Sequence, residues 1–117
     1  KKIQEKLPYY PIVLHGGSAV NKEEIVKINK NGGKLLEGAA GVDPKEIVKA
    51  IKYGVCKINI ATDLRLIWTR VHREFFNETP DLFDPIIPGK LYMDAYEQFM
   101  LEKFDLLGAT GKSNQFI

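Results

Sequence analysis

At 117 residues, with 44% hydrophobic and 27% charged side chains, the chain suits one small domain or a piece of a larger one, and its make-up is that of a water-soluble globular protein. The 17 basic and 15 acidic residues leave a net charge of +2, spread along the chain, which argues against a nucleic-acid partner. No apolar run approaches the roughly 18 residues that span a membrane, and the single cysteine, Cys56, can close no internal disulfide, so a reducing cytoplasm is the expected compartment.

The chain opens on Lys1 and Lys2 without a methionine, and residues 1–7 lack the apolar stretch of a signal peptide. Residues 3–7 read as the last turn of a helix begun earlier and stopped by Pro8 and Pro11, so upstream sequence is expected. Residues 11–14, apolar between proline and glycine, predict a buried strand that runs straight into His15-Gly16-Gly17-Ser18. Asn21 is placed to cap a helix with Glu23 and Glu24 in its first turn, Ile25 and Ile28 on its inner side, and Asn31-Gly32-Gly33 at its end. Residues 34–42, rich in glycine and alanine, predict a loop or a short helical turn. Asp43 as cap and Pro44 at the first helical position open a second helix, with Ile47, Val48 and Ile51 as its stripe and Gly54 as its end.

Residues 55–61 predict a second strand, and Thr62 is placed as the cap of a helix carrying Asp63 in its first turn. Leu64, Trp68, Val71 and Phe75 recur at helical spacing as a core-facing stripe, and Thr79-Pro80 closes that helix. Asp84-Pro85 and Pro88-Gly89 predict a loop before a last helix over 91–106 with Tyr92, Tyr96, Phe99 and Met100; Gly108, Gly111 and the polar residues after them read as a fraying tail. The order strand, helix, helix, strand, helix, helix predicts an α/β fold with a parallel sheet and right-handed crossovers. Two parallel strands leave open edges, so they are expected to belong to a larger closed sheet.

Both strands end in a turn suited to an anion. Gly16, Gly17 and Ser18 allow close approach to the backbone, and the amides of Ala61, Thr62 and Asp63 open a helix, with the Thr62 hydroxyl as a further donor. In a parallel sheet both turns lie at the same edge, and together they predict a phosphate site. Each is weak alone, since Gly-Gly-Ser turns and Thr-Asp helix starts are common. His15 is either a metal ligand completed by residues from elsewhere or an imidazole satisfied by hydrogen bonds at a strand end. Asn59 either reaches a substrate hydroxyl or holds a neighbouring loop. Lys57, on the same side, reads as a buried structural ion. Cys56 and Trp68 read as core, and His72 as a solvated helix residue.

Three blocks in order, Leu14-His15-Gly16-Gly17-Ser18, Asn31-Gly32-Gly33-Lys34 and Gly54-Val55-Cys56-Lys57-Ile58-Asn59-Ile60-Ala61-Thr62-Asp63, resemble the class II, metal-dependent fructose-bisphosphate aldolases, over about residues 3–112. The resemblance implies that residues 1–117 are the C-terminal segment of one (β/α)8 TIM-barrel domain, with strands seven and eight, whose following loops carry the common phosphate site of such barrels. It implies His15 as a zinc ligand, with Gly16, Gly17, Ser18, Ala61 and Thr62 on the phosphate of the dihydroxyacetone-phosphate half. By the same resemblance Asn59 would contact the reacting ketose and its enediolate, Arg65 would contact the far phosphate, and carbonyls around Gly16 would help hold a monovalent cation.

The implied reaction is zinc-assisted reversible cleavage of fructose 1,6-bisphosphate to dihydroxyacetone phosphate and glyceraldehyde 3-phosphate, without a lysine Schiff base. The remaining ligands and the proton-transferring carboxylate come from the absent N-terminal part, so the fragment alone is expected to be inactive. The implied partners are a phosphorylated sugar, that missing part and further copies of the same chain, with neither nucleic acid nor membrane. Ala61 stands where many fructose-bisphosphate enzymes carry aspartate and tagatose-bisphosphate relatives carry a small residue, so the sugar is open. Ala19 stands where glycine or serine is common. A non-enzymatic phosphate-binding module and a split subunit completed by another chain are the competing readings.

Overall fold

The computed structural model describes residues 1–115. In chain order the elements are α1 (Lys2–Lys6), β1 (Ile12–Leu14), α2 (Lys22–Lys30), α3 (Pro44–Ile51), β2 (Val55–Ile58), α4 (Thr62–Glu78) and α5 (Ile86–Leu107), followed by a short 3-10 turn, Ser113–Gln115. The expected fraying tail therefore holds one local turn, and its last two residues lie outside those described.

β1 and β2 pair in parallel, with Ile12 opposite Val55, Val13 opposite Lys57 and Leu14 opposite Ile58. Both strands are shorter than expected, because β1 turns away at Gly16, whose φ of 69° suits glycine. Pairing continues one step beyond the strands: the Asn59 amide donates to the Leu14 carbonyl at 2.9 Å and the Gly17 amide to the Asn59 carbonyl at 3.0 Å. Ile60 and Ala61 then have no neighbour on β1 to extend the ladder.

The helix starts follow local chemistry where the cap is local. Asn21 Oδ1 accepts from the Glu23 amide at 2.9 Å and Asp43 Oδ1 from the Lys45 amide at 2.8 Å, as their spacing predicts. The last helix begins earlier than expected, at Ile86, and takes in Pro88 and Gly89. Proline in the first turn lacks only an N–H that has no helical partner there, so Pro88 extends the helix instead of breaking it. Asp84 Oδ1 accepts from the Ile86 amide at 2.9 Å, and α5 stops at Gly108 in the left-handed conformation.

The helices pack mainly on one another, and α3 is the one in contact with a strand. α2 packs on α4 and α4 on α5, while α3 touches β2 and α5. Ile25, Ile28, Ile47, Ile67 and Val71 are the buried apolar residues of these helices. Arg70, only 18% exposed, ties α2 to α4 through Glu24 at 2.5 Å and Glu74 at 2.7 Å. Burial opposes its charge, but these two carboxylates prevail and hold its pKa above the ordinary guanidinium range.

The slab measures 59 × 38 × 16 Å with a radius of gyration of 17.6 Å, against about 13 Å for a compact domain of this length. Such a shape leaves broad apolar surface uncovered, and two residues read as core lie on it. Trp68 is 50% exposed and stacks on His72, with ring centroids 4.1 Å apart, so His72 is a half-buried stacking partner instead of a free solvated side chain. Cys56 is exposed. Among the described residues no helix is long and apolar enough to cross a membrane.

Candidate functional site

Parallel pairing brings the turn after β1 and the turn after β2 to one edge of the sheet, and their side chains interlock. Ser18 Oγ accepts from the Ala61 amide at 3.2 Å and from the Thr62 amide at 3.0 Å. The cap of α4 therefore comes from a residue 44 positions earlier. Thr62, expected to be the cap, is the first helical residue, and the cap position is Ala61, which has no side-chain acceptor. Two amides thus occupy the lone pairs of the Ser18 hydroxyl, and what it has left to give is its proton. The amides of Gly16, Ser18, Asp63 and Leu64 have no partner among the described residues, so donors remain on this rim. The backbone amides of Gly17, Ala61 and Thr62, by contrast, already donate within the chain.

Asp63 completes the interlock in the other direction. Its carboxylate, 4% exposed, accepts from the Ala19 amide at 2.8 Å and the Val20 amide at 2.7 Å. Val20 is held at a φ of 57°, a region that a β-branched residue seldom occupies, and the two charge-assisted bonds offset that strain. Asp63→Asn leaves one acceptor for two amides and turns an NH2 toward the other. We expect the complete protein to lose about 1–3 kcal/mol of stability, read from its denaturant midpoint.

Close approach dictates Gly17. A Cβ there would sit 2.5 Å from Ile58 Cγ2 and 3.3 Å from the Asn59 carbonyl oxygen, so any larger residue must push the turn off β2. On the other side the Ser18 carbonyl accepts from the Val42 amide at 3.0 Å, which seats the 34–42 loop against the same turn.

His15, Asn59 and Lys57 form a second chain of contacts on the rim. Lys57 Nζ donates to Asn59 Oδ1 at 2.8 Å, and Asn59 Nδ2 lies 3.1 Å from His15 Nδ1. An ammonium can only donate, so the amide oxygen must face Lys57 and the NH2 must face the imidazole. His15 Nδ1 is then the acceptor in this contact, so its lone pair is engaged by Asn59, and a metal ion bound there would displace that bond. His15 fits such an ion as one ligand only, because among the described residues no three His, Cys, Asp or Glu side chains converge. Lys57, read from its place on the strand as a buried ion, is exposed in this chain taken by itself.

Arg65 lies on the exposed first turn of α4, beside an open groove of about 380 Å³ lined by Leu64, Trp68, Thr69 and Tyr92. Its guanidinium makes no hydrogen bond to the rim residues. Asp63 as a clasp and Lys57 as the partner of Asn59 escaped sequence reading. Only the i, i+2 spacing of Lys57 and Asn59 on one strand face hinted at the latter.

Residues 1–112 match the family model described as fructose-bisphosphate aldolase class-II. The fructose-bisphosphate aldolase of Pseudomonas aeruginosa is 36% identical over 115 residues, which cover 98% of this chain and 32% of that protein. The corresponding enzyme of Thermus caldophilus is 38% identical over 111 residues, 92% of this chain and 35% of its own. That of Giardia intestinalis is 39% identical over 109 residues, 91% and 32% respectively. The chain spans about a third of the length of these relatives.

Proposed function

Because the chain belongs to the class II fructose-bisphosphate aldolase family, we propose that the complete protein cleaves fructose 1,6-bisphosphate reversibly to dihydroxyacetone phosphate and glyceraldehyde 3-phosphate. In this reading β1 and β2 are strands seven and eight of a (β/α)8 barrel, and the rim after them is its phosphate end. The observation that carries it is the joining of the two turns: Ser18 Oγ on the Ala61 and Thr62 amides, and Asn59 beside His15.

The Ser18 hydroxyl proton, the Thr62 hydroxyl and the open amides of Asp63 and Leu64 bind the phosphate of the dihydroxyacetone-phosphate half, where the positive end of α4 favours an anion. Asn59 Nδ2 donates to the ketose oxygen on which charge grows as the carbon–carbon bond breaks. His15 holds zinc together with ligands from outside this chain, and the bound ion supplies Lewis acidity at the ketose carbonyl. Arg65 is assigned to the far phosphate on the strength of its planar, always-charged fork. Cytoplasmic residence and homo-oligomeric assembly belong to the same proposal.

Incubation of the complete protein with a chelator is expected to abolish cleavage of fructose 1,6-bisphosphate, and zinc to restore it. Turnover that survives chelation, or a lysine adduct trapped by borohydride, contradicts the reading. Ala61 supports tagatose 1,6-bisphosphate as a second substrate, because its methyl group offers no carboxylate to the sugar. A kcat/KM higher for the tagatose isomer than for the fructose isomer would decide for it.

A further inference from the structure

We infer that Lys57 is a positioning residue for the aldol chemistry, acting through Asn59: its ammonium selects the amide rotamer that presents NH2, not the carbonyl oxygen, to the reacting centre. The inference rests on the reading of the site given above and assigns a task that the reading leaves open.

An asparagine beside a histidine is a two-way system. With Nδ2 toward the ring, the imidazole accepts on Nδ1; with the amide flipped, Oδ1 faces the ring and Nδ1 carries the proton. Either arrangement satisfies the pair, so the 3.1 Å contact between Asn59 and His15 does not by itself choose between them. The choice matters for the chemistry. The flipped amide points an acceptor at the ketose oxygen, where charge accumulates and a donor is required.

Lys57 breaks this symmetry. Its Nζ lies 2.8 Å from Asn59 Oδ1, and the flip would set NH2 against NH3⁺ with no acceptor between them. The two side chains stand two residues apart at the end of β2, on the face opposite Ile58, so the short strand itself supplies the alignment. Among the described residues Lys57 makes no ion pair with a carboxylate, and Asn59 is the one side chain it bonds. The nearby positive charge also polarises the amide toward donation. A lysine that contacted substrate phosphate directly would act mainly on binding; one that orients the amide acts on turnover.

The test uses the complete protein with Lys57→Met, Lys57→Arg, Asn59→Ala and the double variant Lys57→Met/Asn59→Ala. Removal of the outer partner of a functional group costs about 10- to 100-fold, and that loss is expected in kcat for Lys57→Met, with KM for the ketose bisphosphate nearly unchanged. Lys57→Arg, which keeps a cationic donor, is expected to recover most of the loss. Lys57→Met is expected to add nothing in the Asn59→Ala background, because its target is gone. Should Lys57→Met not fold, as judged by thermal unfolding, Lys57→Ala is read in the same way. Parent-like turnover in Lys57→Met or Lys57→Ala, when Asn59→Ala is inactive, overturns the inference alone. So does a Lys57→Met loss of equal factor with and without Asn59. If Asn59→Ala itself turns over like the parent, the reading of the site fails first.

Discussion

Asn59→Ala in the complete protein is expected to cut kcat about 100- to 1000-fold, the range found when one preorganised donor to a developing oxyanion is removed. The residue sits one step past β2, where its amide N–H bonds Leu14 and its carbonyl bonds Gly17, so the backbone at this point is fixed by the sheet. Its side chain is held from both ends, by Lys57 and by His15. A donor restrained in this way needs no reorganisation when charge forms, which is why its loss falls on turnover more than on binding. A steady-state measurement of kcat and KM separates the two. A raised KM with unchanged kcat would reassign Asn59 to substrate binding.

Ser18→Ala is expected to act on binding instead. It removes the acceptor that satisfies the Ala61 and Thr62 amides and the proton we assign to the phosphate. A hydrogen bond to a charged group is worth about 1.5–3 kcal/mol, which corresponds to a KM roughly 10- to 150-fold higher. The lost cap of α4 adds a stability cost of about 1 kcal/mol, visible in the unfolding midpoint. Thr62→Val isolates the first effect, since the Thr62 side chain makes no cap bond: a higher KM is expected without loss of stability. A Ser18→Ala variant that is less stable yet keeps its KM would reduce Ser18 to a helix cap.

Features set by neighbours in the chain were the ones legible in the sequence. Asn21 and Asp43 cap the helices they precede, Thr79 ends α4, and the parallel pairing of the two strands follows from their alternation with helices. Features set by distant partners were not. Nothing near Thr62 announces that its helix is capped from Ser18, or that Asp63 clasps Ala19 and Val20, because those partners are more than 40 residues away. The strand pattern puts Lys57 and Asn59 on one face but says nothing of depth, and in this chain by itself Lys57 is exposed. Trp68 shows the same limit: its spacing marks the helix face, while its 50% exposure depends on what lies across from that face.

The account stands on the two turns forming one phosphate site. A crystal structure of the complete protein with its ketose bisphosphate bound tests this most directly. The prediction is a phosphate oxygen about 3 Å from Ser18 Oγ and from the Asp63 amide, with Asn59 Nδ2 on the ketose. A phosphate bound elsewhere, with the Ser18 proton donated into the protein, contradicts it.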